Sequence, residues 1–151
     1  EAKILGKSSA LIPCGPPLKN AVNGNHLLLG DAAFHTKATT GGGIVIGLEA
    51  AAAAAETIAN HLKHKRALKD YDRNLSVVNK ELSMHWKIHS YINSMDEHSL
   101  DKLFAKAKKA GLEGFLEEHG DMDKPSRFVR KMLLKPRLWG LAPAALKFIL
   151  K

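Results

Sequence analysis

Hydrophobic residues are distributed along this chain in patterns that change three times before residue 66. Ile4, Leu5, Leu11 and Ile12 lead into Pro13-Cys14-Gly15-Pro16-Pro17, which reads as a strand over 3–13 ending in a rigid corner. Asn23-Gly24-Asn25 is a second turn signal. The unbroken run His26-Leu27-Leu28-Leu29 after it predicts a short strand covered on both faces, stopping at Gly30-Asp31. Residues 32–43 are small, polar and glycine-rich, a loop composition. Ile44, Leu48, Ala51, Ala55, Ile58 and Leu62 then recur at helical spacing, so a helix of roughly five turns opens at Gly41-Gly42-Gly43, its alanines suited to close packing on a sheet.

The rest of the pattern is helical. Leu68, Tyr71, Leu75, Val78, Leu82 and then His85 or Trp86 alternate steps of three and four and predict one long amphipathic helix over 66–95, which holds no Pro or Gly. Asp96 or Ser99 is a cap for a further helix through Ala110, with Leu100, Leu103, Phe104 and Ala107 on one side and Gly111 as its stop. A short helix over 112–118 ends near Gly120. Pro125 and Pro136 each open another, and Gly140 and Pro143 break the tail into short pieces.

Composition supports a folded, mainly α chain with a small β part: 151 residues, 45% hydrophobic, with a run of alanines at 50–55. Cys14 stands alone, so no internal disulfide forms, and a reducing cytoplasmic setting is the simpler expectation; we read Cys14 as a buried packing residue rather than a reactive thiol. No apolar stretch is long enough to span a bilayer, and no secretory signal is visible. The net charge of +8 is concentrated, since residues 125–151 carry Arg127, Arg130, Lys131, Lys135, Arg137, Lys147 and Lys151 and no acid. With Phe128, Met132, Leu134, Leu138, Trp139, Phe148 and Ile149 among them, these cations suit a helix lying on an anionic membrane surface. The competing reading has the apolar residues packing inward and the cations facing water.

The chemistry is carried by residues 26–62, HLLLGDAAFHTKATTGGGIVIGLEAAAAAAETIANHL. An apolar strand, Gly30-Asp31-Ala32-Ala33, a loop of about ten residues and a glycine entry into an alanine-rich helix together resemble the second FAD-binding motif of the p-hydroxybenzoate hydroxylase class of flavoproteins. The form Thr39-Thr40-Gly41-Gly42-Gly43-Ile44 is most similar to the geranylgeranyl reductase family of that class. The resemblance covers about residues 11–92 and is strongest over 30–48; Phe34-His35 and Ala38 depart from the family's usual loop.

The resemblance implies FAD as cofactor, held by Asp31, Gly43 and Ile44, with Gly41 and Gly42 shaping the loop. A carboxylate at a strand end accepts hydrogen bonds from ribityl hydroxyls. Amides at a helix mouth favour the negative charge that reduced flavin carries near N1 and the C2 carbonyl, a task for Gly42, Gly43 and Ile44. It further implies the C-terminal portion of an FAD/NAD(P)-binding Rossmann-like α/β domain over 1–64 and an all-helical region over 65–151. The activity would be reduction of geranylgeranyl C=C bonds in membrane lipids or related isoprenoids, with an electron donor and a polyprenyl lipid as partners. No G-x-G-x-x-G with an acid about 20 residues on is present to hold the FAD pyrophosphate. The chain is therefore expected to be a piece of a longer protein, to depend on a missing N-terminal FAD-binding portion, and to be inactive alone.

Other candidates rank below this one. His61 with His64, and His85 with His89 and Glu81, are too few to make a converging metal set, and no metal is expected; His85 and Trp86 are read as interior or channel residues. A flavin monooxygenase or halogenase would share residues 26–62. A basic helical module binding nucleic acid is the rival of another class, but aromatics are not interleaved with its cations, so no nucleic acid partner is expected. Catalytic residues, including the proton donor, are not assignable.

Overall fold

The structure is a computed structural model that describes residues 2–141. Within them the chain is mainly helical. Two short strands, β1 (Val22–Asn23) and β2 (His26–Leu27), pair antiparallel with Val22 opposite Leu27. Six α-helices follow: α1 (Ile44–His64), α2 (Asp70–Asn74), α3 (Ser76–Asn93), α4 (Glu97–Lys109), α5 (Leu112–His119) and α6 (Pro125–Leu133). Among the described residues the sheet is this hairpin alone, so the small β part is present, while a Rossmann-like sheet is not seen.

The expected strand over 3–13 does not form. Ile4, Leu5 and Leu11 are 73%, 93% and 96% exposed, and the segment takes no regular structure. A strand needs a neighbour for its amides and carbonyls, and none is provided among the described residues. The same lack shortens the run 26–29 to a two-residue ladder, leaving Leu28 and Leu29 each 41% exposed rather than covered on both faces. Cys14, read as buried, lies exposed beside that unpaired segment.

The helical expectations meet the structure more closely. The helix over 66–95 is realised as α2 and α3, separated only at Leu75, and the i to i−4 bonds Leu75 N to Tyr71 O (2.9 Å) and Asn79 N to Leu75 O (2.8 Å) run through the junction. Its inward face is the one the periodicity marks, with Tyr71, Leu75, Leu82 and His85 buried. Asp96 caps α4 by accepting from the Ser99 amide at 2.8 Å, Pro125 is in the first turn of α6, and Gly111 (φ +70) separates α4 from α5. Charge–dipole complementarity ends α1, whose last turn carries His61, Lys63 and His64 before Lys65 turns left-handed.

Two apolar clusters result. One joins Ala21 just before β1, Ala50 and Ala54 of α1, and Tyr71 and Leu75; Tyr71 Oη also donates to the Leu28 carbonyl at 3.2 Å. The other gathers Phe115, Met132, Leu138 and Leu141, with Leu103, Ala107 and Phe128 against them. Over 125–141 the apolar residues Val129, Met132 and Leu138 point inward, while Arg127, Arg130, Lys131, Lys135 and Arg137 are polar side chains at a largely exposed surface. Leu134 and Trp139 are exposed among those cations, and Trp139 donates to the Leu133 carbonyl at 2.9 Å. Pro143, Lys147, Phe148, Ile149 and Lys151, the remainder of the expected membrane-facing tail, lie outside the described residues.

Candidate functional site

The segment from Gly30 to Gly43 is a loop closed on itself at two places. Gly30–Ala33 form a single 3-10 turn, after which Phe34 adopts a left-handed conformation (φ 57), His35 N donates to Gly30 O at 2.9 Å, and Gly30 N donates to His35 Nδ1 at 3.2 Å. A second closure is made by Lys37 N to Gly42 O (2.9 Å) and Gly41 N to Lys37 O (2.8 Å), which Gly41 permits with φ +72. Phe34, a departure from the resembling family, lies over Gly15: a Cβ there would come within 2.7 Å of the Phe34 ring, so the proline corner at 13–17 is pinned to the loop by its glycine.

These closures bring Asp31 to the mouth of α1. Gly43 is the residue before the helix, and a Cβ on it would stand 3.3 Å from the His35 carbonyl oxygen, 3.6 Å from Thr36 Oγ1 and 3.9 Å from Asp31 Oδ1. Thr36 Oγ1 donates to Asp31 Oδ1 at 3.1 Å, which orients the carboxylate while the residue remains solvent-exposed. No side chain caps α1 and no acid occupies its first turn, so the positive end of a 21-residue helix opens beside the Asp31 carboxylate. Ile44 is 84% exposed there. Gly42 differs from its expected part, because its amide donates to Thr40 Oγ1 at 3.3 Å. Gly43 and Ile44 are thus the two of the three expected amides not drawn into that local bond.

Sequence reasoning missed the groups that hold the loop from beneath. Lys37 is almost fully buried, and its ammonium pairs with Asp123 at 2.6 Å; its chain lies under Gly42, where a Cβ would be 3.0 Å from Lys37 Cε. Thr39 Oγ1 and His85 Nδ1 share a hydrogen bond of 2.6 Å, tying the loop to α3. Glu81, one turn before, accepts from both Ser126 N (3.0 Å) and Ser126 Oγ (2.5 Å) at the start of α6. Burial holds the His85 imidazole below its ordinary 6.5, and the Lys37 charge adds to the effect. Burial alone does the same to His35. Lys37 is the single charged residue between Ala32 and Gly43, a cue that something opposite must answer it. Asp123, 86 positions away, carries no such cue.

His85 is interior, as expected, whereas His89 turns to Asn93 (2.9 Å) and stacks on Trp86, so the pair does not converge. His61 Nδ1 is bonded to the Arg66 carbonyl at 2.6 Å. Among the described residues no group of three His, Cys, Asp or Glu side chains gathers as a metal set. An apolar groove of about 230 Å³ runs between α3, α4, α5 and α6, lined by Ile88, Tyr91, Leu103, Phe104, Phe128 and Met132. No described helix is long and apolar enough to cross a membrane.

The residues present fit a flavin. Asp31 offers an exposed, oriented acceptor for hydroxyls, Gly43 lets the loop that carries it lie close against the start of α1, and the uncapped α1 mouth is suited to an electron-rich rim. No protein-family model and no solved structure matches the chain. Two curated proteins do. An uncharacterized protein of Methanocaldococcus jannaschii is 30% identical over 134 residues, which are 87% of this chain and 34% of that protein. Digeranylgeranylglycerophospholipid reductase 2 of Methanosphaera stadtmanae is 31% identical over 109 residues, 67% of this chain and 27% of the reductase. The chain thus spans about a third or less of the length of these relatives, and it is a distant, partial relative of a digeranylgeranylglycerophospholipid reductase.

Proposed function

We propose that this chain is the part of an FAD-dependent reductase that holds the ribityl chain and the pyrimidine edge of the flavin, the whole protein saturating C=C bonds of geranylgeranyl chains. The observation that carries the reading is the meeting of Asp31 and Gly43: a Cβ on Gly43 would stand 3.9 Å from Asp31 Oδ1, so the carboxylate lies beside the uncapped mouth of α1. The partial relation to the Methanosphaera reductase supplies the substrate class. In this reading Asp31, steadied by Thr36, accepts ribityl hydroxyls. The amides of Gly43 and Ile44 face the N1 and C2 carbonyl rim and favour its negative charge, with Gly41 and Gly42 shaping the approach. A bound flavin supplies hydride chemistry at N5; placement and charge are what the protein adds.

The apolar groove between α3 and α6 is the candidate seat for part of a polyprenyl chain, whose hydrocarbon gains by leaving water. The remaining flavin contacts, the electron donor and any contact with an anionic membrane belong to the larger protein in this proposal. A monooxygenase or halogenase would use the same Asp31 and Gly43, and oxygen consumption linked to substrate by the whole protein would identify it. The chain alone is expected to bind FAD weakly. Titration of the ¹⁵N-labelled chain with millimolar FAD is expected to shift the amides of 31–36 and 41–46, and Gly43→Val to remove those shifts. Shifts elsewhere only, or none, would end the flavin reading.

A further inference from the structure

Helix α4 borders two cavities of opposite character. Leu100, Leu103, Phe104 and Ala107 form one wall of the apolar groove that it shares with α3, α5 and α6. Its last turn, together with the 3-10 turn at Pro136–Leu141, borders a second hollow of about 520 Å³ lined by Lys106, Lys109, Gly111, Arg137, Gly140 and Leu141. The two share Leu141 as a wall. Three cations line the hollow, and no acid does so among the described residues. Lys106, Lys109 and Arg137 also make no ion pair among those residues. Complementarity to the carbonyl end of α4 accounts for Lys106 and Lys109. It does not account for Arg137, which arrives from a separate segment and reaches over Gly111, where a Cβ would stand 3.7 Å from Arg137 Nη2.

Neither cavity makes a strong site by itself. The three cations are exposed, so water and salt screen them and a small free anion gains little there. The groove has no charged residue in its lining; it rewards hydrocarbon and does nothing to fix which end of a chain enters. Joined at Leu141, they suit one molecule with a hydrocarbon chain and an anionic head, because the second contact is then made within a complex already formed. The head is legible from its partners. Arg137 offers a planar fork that matches two oxygens of one group, and Lys106 and Lys109 add point charges on the other side. A phosphate ester has oxygens for all of them, whereas a carboxylate is satisfied by the guanidinium alone.

We infer that Lys106, Lys109 and Arg137 form the phosphate subsite for an amphiphile whose isoprenoid chain lies in the adjoining groove. The inference rests on the reading of that groove as the polyprenyl seat, but it involves neither flavin nor Asp31. Geranyl monophosphate, geraniol and inorganic phosphate, each titrated into the ¹⁵N-labelled 151-residue chain without FAD, separate head from chain. Geranyl monophosphate is expected to shift the amides of 103–112 and 137–141 and to bind about tenfold tighter than either geraniol or inorganic phosphate. Geraniol is expected to shift the groove amides alone. Lys106→Gln with Arg137→Gln, both at exposed positions, is expected to bring geranyl monophosphate down to the affinity of geraniol while geraniol binding and the unfolding midpoint stay unchanged. Phe104→Gln, at a position 62% exposed, is expected to weaken both ligands. Equal binding of geraniol and geranyl monophosphate, or an unaltered preference in the double variant, overturns the phosphate subsite and leaves the groove standing. Absence of groove shifts with either ligand overturns both. Inorganic phosphate binding as tightly as the ester also overturns the inference, since the hollow would then serve free phosphate. So does sedimentation with phosphatidylglycerol vesicles when monomeric geranyl monophosphate does not bind, since the cations would then meet a membrane surface.

Discussion

α1 and α3 are written in the same code, apolar residues at steps of three and four, and they meet opposite fates. On α3 the periodic face is the buried face: Leu82 and His85 point inward, continuing Tyr71 and Leu75 of the turn before it. On α1 the periodic face is the bare one, and the covered side is made of the off-pattern residues Ile46, Ala50, Ala54 and Thr57. Periodicity marks a face that must be buried, not which element buries it. Where the partner lies within this chain, as for α3, pattern and packing coincide. Where it does not, as for α1, small residues on a second side form the local core and the stronger stripe is left over.

The sharpest way to break that contrast is to truncate a side chain on the covered helix. Tyr71→Ala removes a fully buried ring and its bond to the Leu28 carbonyl, and is expected to cost about 4 kcal/mol in urea unfolding. A loss under about 1 kcal/mol would mean that the α1–α2 cluster is not the core of this half. Asp123→Asn tests the loop's own support. It leaves the Lys37 ammonium, whose side chain is 10% exposed, without its carboxylate, though Asp123 itself is 37% exposed. The expected cost is about 2 kcal/mol, between the values for surface pairs and for enclosed ones. Lys37→Met with Asp123→Leu is expected to recover part of it.

How much of this was open to sequence reading depends on distance along the chain. The ends of α4, its Asp96 cap and its Gly111 stop are local devices, and they are found where the residues indicate. The Asp31–Gly43 juxtaposition was legible because a short loop with glycines at one end returns to its start. The strand over 3–13 failed for the reverse reason: a strand is completed by another strand, and Leu5 and Leu11 have none among the described residues. The Lys37–Asp123 pair joins residues 86 positions apart, and no periodicity or composition connects them. Glu81 was legible only as a possible ligand beside His85, whereas it holds the start of α6 through Ser126.

The buried imidazoles set the next effect. His35 and His85 both titrate below 6.5 in the folded chain, so the unfolded chain binds more protons as pH falls from about 6.5 toward the folded values. Their contribution is complete above that range and is lost on acidification, by at most about 1.4 kcal/mol per pH unit for each group. Urea unfolding across pH 5 to 7 is expected to show falling stability. His85→Gln, which keeps a partner for Thr39, is expected to flatten the slope; an unchanged slope would place the coupling elsewhere. Smaller again is the cap of α4: Asp96→Ala removes the acceptor of the Ser99 amide and is expected to lower the urea midpoint slightly, the loss being confined to a helix with no fully buried residue.

The smallest expected effect is the one that bears hardest on α1. Leu48 is as apolar as Leu82 and sits on the more regular stripe, so sequence pattern alone would rank its truncation among the costliest changes. In the folded chain it is 67% exposed, and Leu48→Ala gives up little buried area while substituting the best helix former. Its unfolding free energy is expected to move by less than about 0.5 kcal/mol in either direction, with an unchanged urea slope. Leu82→Ala, at 1% exposure, is expected to cost about 3 kcal/mol in the same assay. Equal losses at the two positions would show that α1 already has a cover on its second side, and the difference between the helices would disappear.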